Sequence, residues 1–174
     1  MDSRLLAQFD RALHNLDAIL AKAAANAHGR GFSPDAFLGS RLAPDMLAFP
    51  RQVQIACDVA KATAANLSGV AAPKFDDTET TLADLRARIA KTRDFLATVP
   101  AAAIEACPAD RDVAVPFPPG KKLSAEAYLY QRQLGNFYFH LTTTYALLRA
   151  QGVPLGKADF LGELPYQDAN TGSQ

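Results

Sequence analysis

The 174-residue chain has 49% hydrophobic and 21% charged residues, a composition that excludes intrinsic disorder and is typical of globular proteins. Its 18 Lys and Arg residues balance its 18 Asp and Glu residues, so no overall field attracts nucleic acid or an anionic membrane. No apolar run reaches the length of a membrane span, and the charged, amphipathic start lacks the apolar core of a secretion signal. We therefore expect one cytoplasmic domain over residues 1–174, with Cys57 and Cys107 reduced.

The first half of the chain predicts two long amphipathic helices. The first covers residues 6–27, where apolar residues recur every three or four positions, and it ends at Gly29. The second is predicted from Pro44 to Ser68. Pro50 falls in its second turn, where a missing N–H donor costs less than it does deeper in a helix.

A third helix follows a long extended connection, and Asp77 or Thr78 is predicted to cap it. Its basic residues are interrupted by acidic ones, and no aromatic residues lie between them. They therefore indicate a solvated helix face rather than a nucleic-acid surface. These basic residues are Arg86, Arg88, Lys91 and Arg93.

The last third of the chain predicts a hairpin and a fourth helix. Residues 113–117 alternate in hydrophobicity ahead of a Pro-Pro-Gly turn, which favours a small β-hairpin. Ser124 is predicted to open the fourth helix, Gly152 is predicted to close it, and the tail from about residue 166 is expected to be flexible. Four amphipathic helices with short to moderate connections predict an all-α four-helix bundle, with the hairpin before the last helix.

The fourth helix carries the candidate site. Asn136 and His140 are four residues apart and so share one face of the helix, and Gln133 and Thr144 extend this polar stripe. Polar groups inside a bundle need hydrogen-bond partners, water or a ligand. The stripe therefore indicates either a buried structural network or a ligand-binding or catalytic pocket.

The second helix offers partners for this stripe in Gln54 and Asp58, also four residues apart, with Asp45 near the start of that helix. A histidine against a carboxylate can act as an acid–base group, because its ordinary pKa lies near neutrality. His140 is the candidate catalytic residue on this interpretation. In the structural alternative, His140 only orients neighbouring amides.

A metal site has few ligands to draw on. A catalytic metal usually needs three protein ligands, and the chain has three histidines in all. His14 is expected to be solvated beside Asp10 and Asp17, and His28 lies at the end of the first helix. A metal site would therefore need His140 together with Asp58 or Asp45 and water. Cys57 lies on an apolar helix face and is expected to be an inert thiol.

Four stretches of the chain resemble an uncharacterised bacterial family of the DinB/YfiT-like superfamily, which groups four-helix proteins that include metalloenzymes. They are the first helix, RLAPDMLAFPRQVQIACDVAK at 41–61, FDDTETTLADL at 75–85 and NFYFHLTTTYALLRAQGVPLGKADFLG at 136–162. The resemblance implies a DinB-like four-helix bundle over nearly the whole chain.

Better-known members of that superfamily hold a divalent metal with three histidines, one from the second helix and an H-x-x-x-H pair from the fourth. Some transfer small cellular thiols such as bacillithiol or mycothiol. On this resemblance His140 matches the second histidine of the pair and Asn136 stands at the first position. The second helix offers Gln52, Gln54 and Asp58 but no histidine.

We therefore expect a small-molecule-binding DinB-like bundle with an incomplete metal triad and no cofactor. The expected ligand-binding residues are Asn136, His140, Gln54, Asp58 and Asp45. The alternatives are a metal-dependent hydrolase or thiol transferase that uses His140, and a protein-interaction module. The latter requires Tyr128, Tyr130 and Tyr138 to form one exposed patch. The likeness to bundles that pair through helices predicts a homodimer.

Overall fold

The computed structural model describes residues 1–168. Four long helices and several short elements follow one another along the chain. They are α1 (Arg4–Gly29), a 3₁₀ turn (Pro34–Gly39), α2 (Phe49–Ser68), α3 (Leu82–Thr98), α4 (Ala101–Glu105), β1 (Asp112–Val115), β2 (Lys121–Ser124), α5 (Ala125–Ala127), a π-helical turn (Tyr128–Gln133), α6 (Leu134–Ala150) and α7 (Lys157–Leu161).

Helix α2 packs against both α3 and α6, and α1 packs against α3. Gln52, near the start of α2, contacts His140 in α6, whereas Thr63, near the end of α2, contacts Gln133 just before α6. The two segments therefore run antiparallel. This arrangement places the polar residues of α6 directly against α2, as the candidate site requires.

One continuous cluster of buried apolar side chains fills the space between the helices. Phe9 of α1 and Phe137 of α6 meet edge to face with their ring centroids 4.7 Å apart, and both are fully buried. Burial of one such side chain stabilises the fold by about 1.5–3 kcal/mol. The predicted helical bundle with a hairpin before the last long helix is confirmed.

The hairpin leads directly into the last helical segment. Strands β1 and β2 are antiparallel, with Asp112 opposite Ser124, and the side chains of Val113 and Val115 are buried. Oγ of Ser124 accepts a hydrogen bond from the backbone N–H of Ala127 at 3.2 Å. The prediction that Ser124 opens the last helical segment is confirmed.

The second helix begins at Phe49, so the predicted start near Pro44 is wrong. Ala48 has extended backbone geometry, and the Phe49 N–H donates to the carbonyl of Ser40 at 2.9 Å rather than to a helical carbonyl. Pro50 consequently lies in the first turn, where an N–H group would have no partner within the helix.

The third helix is capped by Thr81, so the predicted caps Asp77 and Thr78 are wrong. Oγ1 of Thr81 accepts from the N–H of Asp84, and the Asp84 carboxylate accepts from the N–H of Thr81, both at 3.0 Å. This reciprocal pair satisfies two N–H groups at the helix start. Asp77 instead faces Arg88 at 3.0 Å.

Two further expectations concern membrane-spanning helices and the C-terminal tail. Within residues 1–168, no helix is long and apolar enough to cross a membrane. Residues 166–168 belong to no helix or strand. The remainder of the tail predicted to be flexible, residues 169–174, lies outside the described residues.

Candidate functional site

His140 lies at the interface of α6 and α2 and is hydrogen-bonded to Gln52. The His140 Nδ1 atom is 2.7 Å from the Gln52 Oε1 atom, and the two side chains are 7% and 1% exposed. The Gln52 Nε2 atom donates in turn to the carbonyl of Leu47 at 2.9 Å. A chain of three polar groups thus links α6 to the segment that precedes α2.

This chain fixes the tautomer of His140. Because the amide nitrogen of Gln52 must donate to the Leu47 carbonyl, its oxygen is the atom that faces His140, and this oxygen can only accept. Nδ1 of His140 therefore carries the proton, and Nε2 has a free lone pair. Nε2 makes no hydrogen bond within residues 1–168 and is not among their fully buried unpartnered atoms, so it retains contact with solvent.

The surroundings of His140 favour its neutral form. Burial lowers the pKa of His140 below its ordinary value of 6.5, and the positive charge of Arg51 lowers it further. The hydroxyl of Thr144 donates to the backbone carbonyl of His140 at 2.9 Å, which satisfies this hydroxyl within α6 without adding a charge near the ring. At neutral pH, His140 is therefore an uncharged hydrogen-bond acceptor at the interface of α2 and α6.

The pKa shift of His140 has a consequence for stability. Because the folded-state pKa is below the unfolded value of about 6.5, the unfolded chain binds more protons, and the contribution of His140 to stability is lost as the pH falls below about 6.5. We expect the free energy of unfolding to decrease between pH 7 and pH 5.5. The decrease should be smaller in His140→Gln, as measured by urea unfolding at each pH.

The same measurement on His28→Gln provides the control, because His28 is exposed at the end of α1. NMR titration of the His140 ring in the wild-type protein supplies an independent readout. A His140 pKa at or above 6.5 would contradict the argument from burial.

A shallow apolar groove adjoins His140. We call it the Phe139 groove; it has a volume of about 540 Å³ and is lined by Leu42, Met46, Tyr138, Phe139, Thr142, Thr143 and Ala146. The Phe139 ring meets the His140 ring edge to face at 5.2 Å and is itself 55% exposed. Phe139 and Met46, which line the groove, are the sequence neighbours of His140 and Leu47, although neither His140 nor Leu47 lines it.

Gln54 and Asp58, the expected partners of His140, face α3 instead. The Gln54 amide donates to Glu79 at 2.7 Å and accepts from Arg51 at 2.8 Å. Asp58 pairs with Arg88 at 3.0 Å. Their predicted spacing on one helical face is observed, but the face they share is turned away from His140.

Arg88 is the centre of this second polar cluster. Its guanidinium contacts the carboxylates of Asp58, Asp77 and Glu79 at distances of 3.0, 3.0 and 2.9 Å, and its side chain is 1% exposed. Burial alone would raise the pKa of Glu79, but hydrogen bonds from Arg88 and Gln54 outweigh it and hold this pKa below 4.5. The cluster fixes the connection between α2 and α3.

The prediction that Arg88 lies on a solvated face is therefore wrong. Arg86 pairs with Asp17 across the surface between α3 and α1, and both side chains remain partly exposed. Arg88 differs because it lies three residues after Leu85 and next to Ile89, within the apolar stripe of α3. That spacing is the signal in the sequence that marks it as buried.

Asn136 and Asp45, the remaining expected site residues, do not contact His140. Asn136 is half-buried and lines a separate cleft between α6 and the hairpin. Asp45 is exposed in the segment before α2. Of the amide residues Gln52, Gln54 and Asn136, only Gln52 contacts His140. Gln52 is therefore a site residue that the sequence analysis did not select.

The polar stripe continues into a buried network between the π-helical turn and α2. Gln133 donates to Thr63 at 3.1 Å and to the Tyr128 hydroxyl at 3.0 Å. Tyr128 is 2% exposed, whereas Tyr130 is 52% exposed. The tyrosines at 128, 130 and 138 therefore do not form the exposed patch that the protein-interaction alternative requires.

Comparison with known proteins assigns the chain to a family. A family model described as a domain of unknown function, DUF1993, matches residues 3–161. The chain belongs to the DUF1993 family. It is also similar to the crystal structure of a DinB family member protein from Shewanella denitrificans, with 43% sequence identity and a TM-score of 0.90 over 95% of this chain and 94% of that chain. No curated protein matches the DUF1993 chain.

These findings confirm the resemblance to an uncharacterised family of the DinB-like superfamily. The metal site that the superfamily implies does not fit the residues of this DUF1993 chain. The α2 residue beside His140 is the amide Gln52 rather than a histidine, and Asn136 lines another cleft. Among the described residues, no three His, Cys, Asp or Glu side chains come together to hold an ion.

The other histidines and Cys57 lie outside the candidate site of the DUF1993 chain. His14 is exposed and 3.4 Å from Arg93, and His28 is exposed at the end of α1. Cys57 is fully buried, and burial raises the pKa of its thiol to about 12. A thiol with this pKa is protonated at neutral pH and is a poor nucleophile.

Proposed function

We propose that this protein binds a small molecule with an apolar body and one hydrogen-bond donor at the surface around His140. The observation that carries the proposal is the hydrogen bond from His140 to Gln52. It leaves Nε2 as a fixed, uncharged acceptor beside the Phe139 groove. Ligand sites are commonly apolar clefts with a few placed polar groups, which is the combination found here.

The shape of the groove defines the ligand class. Its volume of about 540 Å³ and its mostly apolar lining suit a single ring or a short hydrocarbon chain. Phe139 contacts the His140 ring edge to face and is half exposed, which supports a ligand that packs on Phe139 and extends toward Nε2. A hydroxyl or N–H group on that ligand would donate to Nε2.

The surroundings favour binding over acid–base catalysis. A catalytic histidine that accepts a proton is stabilised when a carboxylate holds its other nitrogen. Here the other nitrogen faces a neutral amide, and the charge of Arg51 disfavours the protonated ring. Asp58, the carboxylate considered for this role, is paired with Arg88.

Titration with 4-ethylphenol tests the proposal, because this probe has an apolar ring and one O–H donor. We expect NMR signals of His140 and Phe139 to shift. The matched probe 4-ethylanisole lacks the donor and should bind about tenfold more weakly, the upper range for one net hydrogen bond.

Two variants localise the binding. Phe139→Ala should weaken both probes, and its exposed position makes loss of folding a small concern. His140→Ala should remove the difference between the two probes, whereas His28→Ala should leave it unchanged. Equal affinity for the two probes in the wild-type protein, or no shift at His140, would refute the proposal.

A further inference from the structure

We propose that the cleft between the hairpin and α6 is a second binding site, and that it takes a small amphipathic carboxylate with a hydrocarbon tail. We call it the hairpin cleft. It has a volume of about 710 Å³ and shares no lining residue with the Phe139 groove. The inference therefore goes beyond the proposed function and does not depend on it.

Positive charge is concentrated at this cleft although the chain as a whole is neutral. Lys121, Lys122 and Arg132 all line it, and no lining residue is acidic. Lys122 pairs with Asp112, whereas Lys121 has no ion pair with any residue of the described chain. One ammonium group is thus available for an anion at the mouth of the cleft.

The body of the cleft is apolar. Val115 and Leu123 from the two strands line it, with Phe117 and Pro118 from the turn between them. The Phe117 side chain is 74% exposed. When a hydrocarbon covers an exposed aromatic ring, apolar surface is removed from water and the free energy falls. Apolar surface next to an unpaired cation therefore matches a molecule with a hydrocarbon tail and a carboxylate head.

The helical wall of the cleft is irregular. The π-helical turn Tyr128–Gln133 contributes Gln131 and Arg132 to the lining, and Asn136 follows one turn later. Such turns are rare and occur frequently at functional sites. Here the turn presents the Gln131 amide and the Arg132 guanidinium, one N–H of which already donates to Gln133. Such donors suit a carboxylate rather than a cation. Asn136, an expected ligand-binding residue, thereby has a role apart from His140.

Octanoate is the probe that tests this inference. Titration at low salt should shift NMR signals of Leu123, Phe117 and Asn136 while leaving those of His140 and Phe139 unchanged. The neutral analogue 1-octanol should bind more weakly and octylammonium more weakly still. Binding of octanoate should also decrease as the salt concentration rises, because exposed charges are screened.

Variants distinguish the contribution of positive charge to binding from the contribution of the apolar surface. Lys121→Glu should weaken octanoate binding by about twofold to fivefold, as expected for an exposed charge pair, and should leave 1-octanol binding unchanged. Lys91→Glu, which makes the same change in net charge on exposed α3 surface, should have little effect on either. Phe117→Ala should weaken both probes.

The inference is overturned if octanoate does not bind, if it binds no more tightly than 1-octanol, or if Lys91→Glu weakens it as much as Lys121→Glu does. Shifts confined to the Phe139 groove would also overturn it. Because the phenol probes report on His140 and octanoate reports on the hairpin, failure of one site is distinguishable from failure of the other.

Discussion

Arg88→Met is expected to lower the free energy of unfolding by about 3 kcal/mol at pH 7, the lower end of the cost of breaking a buried ion pair from one side. The substitution preserves much of the side-chain length but removes the cation that Asp58, Asp77 and Glu79 share. Lys61 still neighbours Asp58, and Arg51 still neighbours Asp77. Glu79, whose side chain is 10% exposed, loses the cation that compensates its burial.

The pH dependence of this loss follows from the same contacts. In the wild-type protein the pKa of Glu79 is held below 4.5, so its contribution to stability is present above about pH 4.5 and is lost as the pH falls through the folded-state pKa. In Arg88→Met, burial without the cation should raise this pKa, and Glu79 should bind a proton more readily. The difference in stability between variant and wild type should therefore narrow from pH 7 to pH 4.

Urea unfolding at both pH values measures this effect, and Arg86→Met is the matched control. Arg86 is on the same helix and forms a two-point contact with Asp17, but both side chains are partly exposed. Exposed pairs of this kind contribute about 1 kcal/mol or less. Equal destabilisation by the two substitutions would show that the burial of Arg88 has no energetic consequence.

Gly162→Ala is expected to destabilise the docking of α7 by about 1–3 kcal/mol, the cost of a strained backbone residue. Gly162 has a φ of 69° and a ψ of −166°, a region that is essentially restricted to glycine. A Cβ atom at this position would lie 2.7 Å from the Cγ atom of Asn15. Asn15 is 8% exposed, and its amide donates to the Phe160 carbonyl at 3.1 Å. Movement of the Asn15 side chain away from the new Cβ atom would break this hydrogen bond.

The position of α7 allows local undocking of this helix to be distinguished from global unfolding. Lys22 pairs with Asp159 at 2.7 Å, and Tyr145 contacts Phe160 edge to face, so these contacts and Asn15 hold α7 on the bundle. If Gly162→Ala releases α7, hydrogen exchange should accelerate at residues 158–162 and remain slow in α2. The loss of stability cannot exceed the free energy of undocking α7, because local opening relieves the strain.

Gly135→Ala is the matched control for this substitution. Gly135 lies within α6, has no positive φ, and a Cβ atom there would meet no atom within 4 Å. The same glycine-to-alanine change in a helix interior should stabilise the protein by about 0.5–1 kcal/mol. Opposite signs at the two positions are the expected result. Stabilisation by Gly162→Ala would contradict the argument from geometry.

Local signals in the sequence determine most of the fold. The start of the last helical segment follows from Ser124, whose hydroxyl caps the next turn, and the hairpin follows from alternation around Pro-Pro-Gly. These predictions are confirmed because each depends on contacts within a few residues. The predicted start of α2 and the predicted cap of α3 both precede the observed positions in the sequence. Asp77 is a good capping residue in isolation, but Arg88 binds it.

The sequence by itself determined the elements, their apolar faces and the polar pair on the last helix, whereas the tertiary structure decided which polar residues meet. Successive residues of a helix are rotated by about 100°, so Gln52 and Gln54 point to nearly opposite sides. Gln52 faces α6 and holds His140, whereas Gln54 and Asp58 face α3 and Arg88. The sequence places all three on one amphipathic helix. Only the packing of α2 between two neighbours selects the partner of His140, because that choice depends on the rotation of α2 about its axis.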